Sequence, residues 1–86
     1  MGIKIYTTQY CGYCRAAKRF LDEKSIPYDE IDLTHNSRLR EEISHKSGMY
    51  TVPMIFIGAA CIGGYTELIG LDRSGQLESM LRDELD

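Results

Sequence analysis

The sequence predicts an α/β domain, a mixed four-stranded sheet flanked by helices in the order β-α-β-α-β-β-α. Three observations carry that reading. Polar and apolar residues alternate in Ile3-Lys4-Ile5-Tyr6-Thr7 and again from Tyr28 to Leu33, the period of half-buried strands. Between these segments apolar residues recur at helical spacing. Further on, the short apolar run Met54-Ile55-Phe56-Ile57 is joined through Gly58 to Ala60-Cys61-Ile62, which reads as a buried strand turning into a hairpin.

The first strand, Ile3 to Thr7, is rich in β-branched residues. From Cys14 to about Lys24, Ala17, Phe20, Leu21 and Lys24 follow at spacings of three, one and three, and Arg15, Lys18 and Arg19 fall outside that face. Pro27 cannot continue a helix, so the chain breaks at Ile26-Pro27 and enters the second strand, Tyr28 to Leu33. Asn36 or Ser37 can cap a second helix, with Leu39 and Ile43 on its core side and Gly48 at its end. After the hairpin, Gly63-Gly64 leads to Thr66 and a short helical turn. A last helix, roughly Ser74 to Leu85, buries Leu77, Met80 and Leu81. The simplest packing puts helices on both sheet faces, with the first two strands parallel through a right-handed crossover.

No repeat, low-complexity tract or linker divides residues 1–86, which are expected to form a single domain. Hydrophobic residues make up 43% and charged residues 27%, the balance of a folded soluble chain. A domain this short buries only a little over ~60% of the surface its unfolded chain exposes, so its binding site is expected to be a surface groove. Ten Lys and Arg against thirteen Asp and Glu leave a net charge of −3, which argues against a general nucleic-acid binder. No apolar run approaches the ~20 residues that span a bilayer. Met1-Gly2-Ile3-Lys4-Ile5-Tyr6 lacks a signal peptide's apolar segment and the Ser or Thr that myristoylation wants where Tyr6 stands. The expectation is a cytoplasmic monomer, with neither membrane nor nucleic acid as partner.

Three cysteines are an odd number, and two are packed as Cys11-Gly12-Tyr13-Cys14, unlike the even, dispersed set of a secreted disulfide scaffold. In a reducing compartment such a pair points to catalysis or metal binding. It lies at the junction of the first strand and first helix. Cys11 near the Ncap meets unpaired N–H groups and the positive end of the helix dipole, which favour the nucleophilic thiolate. Arg15 and Lys18 add positive charge on the next turn. Cys14, one turn into the helix, is close enough to close a disulfide back to Cys11: Cys11 attacks and Cys14 resolves. Two other readings compete, half a zinc site or two inert thiols. For zinc only Cys61, His35 and His45 remain, without ligand spacing. Inert thiols would be out of place beside cations at a helix start.

Cys11-Gly12-Tyr13-Cys14, then Thr51-Val52-Pro53 before an apolar strand, then Gly63-Gly64 before a helix, together resemble the glutaredoxins, most of all the short bacterial dithiol members, over essentially the whole chain. The resemblance implies a thioredoxin fold and glutathione as co-substrate, held in a groove beside the reactive cysteine. It places the backbone of Val52 against the cysteinyl part of glutathione, with Thr51 beside it and Pro53 in the cis form. It places Thr66 and Glu67 at the γ-glutamyl end, where Thr66 can offer its N–H and hydroxyl to the carboxylate and Glu67 can accept from the ammonium group. Gly64 allows close approach, Arg40 falls where members reach the glycyl carboxylate, and Tyr13 walls the groove. Tyr10 and Tyr65 are expected to flank the groove. Cys61 is expected to be a small buried residue of the hairpin, and His35 and His45 to be exposed.

Three positions depart from the pattern. Gly12 replaces the more usual Pro, Thr8 stands where many members carry Lys, and Glu67 replaces the more common Asp. Gly12 leaves the turn more mobile than a proline at the first helical position would. The implied activity is that of a glutathione-disulfide oxidoreductase, reducing protein–glutathione mixed disulfides and ordinary protein disulfides, such as that of ribonucleotide reductase. No metal is needed. Two alternatives stand beside it. Some members without the proline bind a [2Fe–2S] cluster between two subunits, with Cys11 of each chain and two glutathiones as ligands. A thioredoxin-like reductant served by a flavoprotein is the other, but the chain has no Trp to precede its C-x-x-C.

Overall fold

The hydrophobic pattern of the strands decides the layers of the fold. In the computed structural model, which describes residues 2–85 and leaves Met1 and Asp86 outside the described residues, β1 (Ile3–Thr7) buries Ile3, Ile5 and Thr7. It runs beside parallel β2 (Tyr28–Asp32), register Ile3↔Tyr28 to Thr7↔Asp32. Its other edge pairs antiparallel with β3 (Met54–Ile57), which in turn pairs with β4 (Ala60–Gly63), so the sheet order is β2-β1-β3-β4. A register shift between Ile55 and Phe56 bends the hairpin, and Gly58 at φ 60° turns it.

The continuous apolar run of β3 is explained by burial on both faces. Ile55 and Ile57 join Ile3 and Ile5 against Ala17 and Leu21 of α1 (Gly12–Glu23), Leu68 of α3 (Tyr65–Ser74) and Leu77 of α4 (Gln76–Leu85). Met54 and Phe56 turn the other way, to Leu33 and to Leu39 and Ile43 of α2 (Ser37–Ser47). The sheet and its two-sided helical cover are therefore as the sequence predicts.

The helix ends follow local chemistry. Asn36 caps α2 by accepting the Leu39 N–H at 3.1 Å, and Gly48 closes it in the left-handed conformation at φ 75°. α1 starts two residues earlier than its apolar face, because Cys11 itself is the N-cap. The C-terminal region differs from expectation. The short turn at Thr66 is the start of a ten-residue helix, α3, and Gly75 at φ 80° separates it from α4. Leu68 and Leu71, one turn apart, pack on the core and hold α3 in place. Cys61 also differs: β4 is an edge strand, so the thiol is only half-buried, 3.7 Å from Met49 Sδ. His35 and His45 are exposed.

Candidate active site

β1 ends at Thr7, and four residues later the chain reaches Cys11 with extended backbone, φ −115° and ψ 110°, as the N-cap of α1. That geometry leaves the first helical N–H groups pointing back at the cap. The Cys14 N–H donates to Cys11 Sγ at 3.0 Å, and the Arg15 N–H donates to the Cys11 carbonyl at 3.2 Å. No acidic side chain occupies the first turn, so no carboxylate there offsets the positive end of the helix. The two sulfurs are paired as a disulfide with the Cα atoms 5.1 Å apart. Their surroundings differ: Cys14 is 1% exposed, whereas Cys11 is only half-buried. An incoming sulfur can reach only one of them.

Val52 faces Cys11 from the loop before β3, its carbonyl oxygen 3.6 Å from Cys11 Sγ. The Val52–Pro53 peptide is cis. From this point an open cleft of about 380 Å³ extends along the surface. One wall is Met49, Thr51, Val52 and Pro53; the other is Gly64 to Glu67, with Tyr13 at the same cleft and its ring centroid 6.0 Å from that of Tyr65. The walls approach closely: a Cβ on Gly64 would stand 3.4 Å from the Pro53 carbonyl oxygen. Gly63, at φ 115°, could take a side chain only by displacing Glu67, since a Cβ there would be 2.6 Å from Glu67 Cγ. Glu67 bends back because its Oε1 accepts the Gly64 N–H at 2.7 Å, capping α3.

The charges near the cysteines are arranged unequally. Lys18, expected to add its charge at the site, instead donates to Glu30 Oε2 at 3.0 Å. The buried Thr7 hydroxyl donates to the same oxygen at 2.7 Å. Partial burial alone would raise the Glu30 carboxyl, but the Thr7 hydroxyl and the Lys18 ammonium outweigh it and hold the carboxyl below its ordinary value. The Arg15 guanidinium, by contrast, folds back to within about 4 Å of where a Gly12 side chain would begin, next to the helix start.

The structure thus gathers Cys11, Tyr13, Thr51, Val52, Pro53, Gly64, Thr66 and Glu67 around one cleft, with Cys14 beneath. Arg40 is half-buried on α2 and does not line that cleft, and Tyr10 is exposed outside it. Met49 lines the cleft and was not anticipated; its place between the helix-ending Gly48 and the Thr51-Val52-Pro53 segment is the only signal the sequence carries for it. Among the described residues no group of three or more His, Cys, Asp or Glu side chains converges on a common point.

A sheet of this order with a redox-capable cysteine pair at the first helix start defines a thiol–disulfide oxidoreductase of thioredoxin fold. The comparisons narrow the class. The family model Glutaredoxin matches residues 3–62. A glutaredoxin of Pseudomonas aeruginosa is 40% identical over 79 residues, covering 92% of this chain and 94% of that protein. Glutaredoxin 3 of Escherichia coli is 41% identical over 80 residues, covering 93% and 96%. The crystal structure of a buckwheat glutaredoxin–glutathione complex superposes with a TM-score of 0.89 at 29% identity, over 96% of this chain and 78% of that one. The chain belongs to the glutaredoxin family.

Proposed function

We propose that the protein is a glutathione-disulfide oxidoreductase that reduces protein–glutathione mixed disulfides and protein disulfides. The observation that carries this reading is the asymmetry of the pair: Cys11 is accessible at a helix N-cap beside an open cleft, and Cys14 is buried behind it. The buckwheat relative's complex supports glutathione as the occupant of that cleft.

In the monothiol route the Cys11 thiolate attacks the glutathione sulfur of a mixed disulfide. The Cys11–glutathione bond forms, the protein–glutathione bond breaks, and the protein thiolate leaves and takes a proton. A second glutathione thiolate then attacks the sulfur of the bound glutathione. Glutathione disulfide departs and the Cys11 thiolate returns. In the dithiol route Cys11 attacks a protein disulfide and releases one protein thiol. Cys14 then attacks Cys11 Sγ, releasing the second, and two glutathiones reduce the Cys11–Cys14 bond. The chain supplies position and electrostatics. The Cys14 N–H stabilises charge on Cys11 Sγ, Val52 offers extended backbone to the cysteinyl part, and Thr66 N–H and hydroxyl at the start of α3 take the γ-glutamyl carboxylate. Glu67 holds the ammonium group, and Arg40, which lies outside the cleft's lining, meets the glycyl carboxylate only where the ligand extends beyond the cleft toward α2. Ribonucleotide reductase is among the protein disulfides it would serve, and the setting is the cytoplasm, as a monomer.

The test is glutathione-dependent turnover of a small glutathione mixed disulfide, coupled to glutathione reductase. Activity that disappears in Cys11→Ser and persists in Cys14→Ser supports the reading. A wild type without turnover would falsify it. The cluster-bridged dimer would use Cys11 alone from each chain, since Cys14 is closed to a partner; anaerobic reconstitution yielding neither cluster absorbance nor a dimer removes that alternative. Reduction by a thioredoxin reductase with glutathione inactive would favour the flavoprotein-served reductant.

A further inference from the structure

Among the described residues three large apolar side chains stand exposed, Tyr10 at 92%, Tyr50 at 73% and Tyr13 at 66% of full exposure, each within two residues of Cys11 or Val52. Tyr13 belongs to the cleft. Tyr10 and Tyr50 do not, although Tyr10 directly precedes Cys11 and Tyr50 is two residues from Val52, whose carbonyl faces Cys11 Sγ. Successive Cα atoms are about 3.8 Å apart, so both backbones lie within two residue steps of the reacting atoms. Tyr50 sits between Met49 and Thr51, which both line the cleft, and its ring goes elsewhere. Neither ring serves the core or the glutathione cleft.

The two chain segments that carry them are uncharged. From Thr7 to Cys14, and from Ser47 to Thr66, no Asp, Glu, Lys, Arg or His occurs, in a chain where 27% of residues are charged. Exposed tyrosines on neutral segments that lead to a reactive sulfur have the composition of an interface centre, where aromatics are enriched and charge is depleted. The polypeptide that carries the substrate disulfide is larger than the cleft and must lie on the surface around it.

We propose that Tyr10 and Tyr50 form a docking rim for the polypeptide side of the substrate, and that it selects cysteines flanked by apolar residues. This rests on the reading of the protein as a mixed-disulfide reductase. Glutathione fills the cleft, and the two rings cover the neighbouring apolar side chains of the protein whose sulfur leaves. The rim sets selectivity among protein substrates and contributes nothing to a small one.

The experiment compares two glutathionylated heptapeptides, one with Leu and one with Ser on both sides of the cysteine, and the glutathione mixed disulfide of 2-mercaptoethanol. The expected result is a wild-type kcat/KM about tenfold higher for the Leu peptide, the scale of an exposed aromatic anchor. Tyr10→Ala/Tyr50→Ala should abolish that preference through KM while 2-mercaptoethanol disulfide turnover changes less than about twofold. Tyr10→Phe/Tyr50→Phe should retain it, because ring area rather than the hydroxyls makes the contact. No preference in the wild type, or a preference that survives the alanine pair, overturns the proposal. So does an equal loss on all three substrates, or a self-association that the alanine pair abolishes, which would make the rim a contact between copies of this chain. Failure of the underlying reading looks different: the wild type would turn over none of the three.

Discussion

Cys11 Sγ meets two backbone groups of opposite polarity, the Cys14 N–H at 3.0 Å and the Val52 carbonyl oxygen at 3.6 Å. The N–H is a donor to negative charge on the sulfur, whereas the carbonyl oxygen presents the opposite end of a backbone dipole to it. The helix supplies the first automatically, as an unpaired N-terminal donor. The second comes from a residue 41 positions away and exists only in the folded chain.

The unequal placement of the two nearby cations has a kinetic signature. In a Cys14→Ser background, Arg15→Glu should slow iodoacetamide alkylation of Cys11 at neutral pH by about threefold or more, the scale of a charge at a helix N-terminus. Lys18→Gln should change it little, because that ammonium is already paired with Glu30. Equal effects of the two substitutions would refute the assignment.

Glu30 ties β2 to β1 and α1 through Thr7 and Lys18. Its carboxyl is lowered in the folded state, so its stabilisation is present above the unfolded value of about 4.3 and is lost as pH falls through the folded one. Glu30→Gln should therefore cost about 1 kcal/mol at pH 7, a figure limited by solvent screening of this partly exposed pair. The cost should shrink towards zero as the pH falls below about 4. Urea unfolding at pH 7 and pH 3 checks the sign.

Gly63→Ala should be among the most damaging small substitutions. The new Cβ would sit in the left-handed region, at φ 115°, and press on Glu67, breaking the cap to the Gly64 N–H. Strain and the lost hydrogen bond together should cost about 2–3 kcal/mol. Adding Glu67→Ala should relieve the clash, so the double variant should be less destabilised than the two single costs combined, as thermal unfolding would show.

Ser25, at φ 57°, is the one non-glycine residue among those described with positive φ, in the turn that closes α1. Ser25→Gly should gain about 1 kcal/mol by removing the Cβ conflict, raising Tm by roughly 4–8 °C for a domain of this size. An unchanged or lower Tm would show that the entropy glycine adds to the unfolded chain outweighs the strain relieved.

Most elements were legible because their signals are local. Asn36 and Gly48 bracket α2 with side-chain and backbone chemistry that needs no tertiary partner, and the alternation of β1 states which side chains face the core. The C-terminal helices were less legible. Gly75, which separates α3 from α4, stands next to Ser74, where a single helix was expected to begin, and only the packing of Leu68 and Leu71 shows that the preceding residues are helical. Lys18 illustrates a second limit: its place on the helix was plain, but its pairing with Glu30 depends on the β1–β2 register.

Strand and helix periodicities and the N-cap position of Cys11 are legible along the chain, and three short motifs carry the family resemblance. All of these depend on residues near one another in the chain. Folding sets which cysteine meets solvent, which carboxylate Lys18 pairs with, that Met49 lines the cleft and Arg40 does not, and that Tyr10 and Tyr50 stand outside it. Those outcomes depend on which surfaces face each other once the sheet order β2-β1-β3-β4 brings distant segments together, and burial and pairing are properties of that assembly rather than of any one segment.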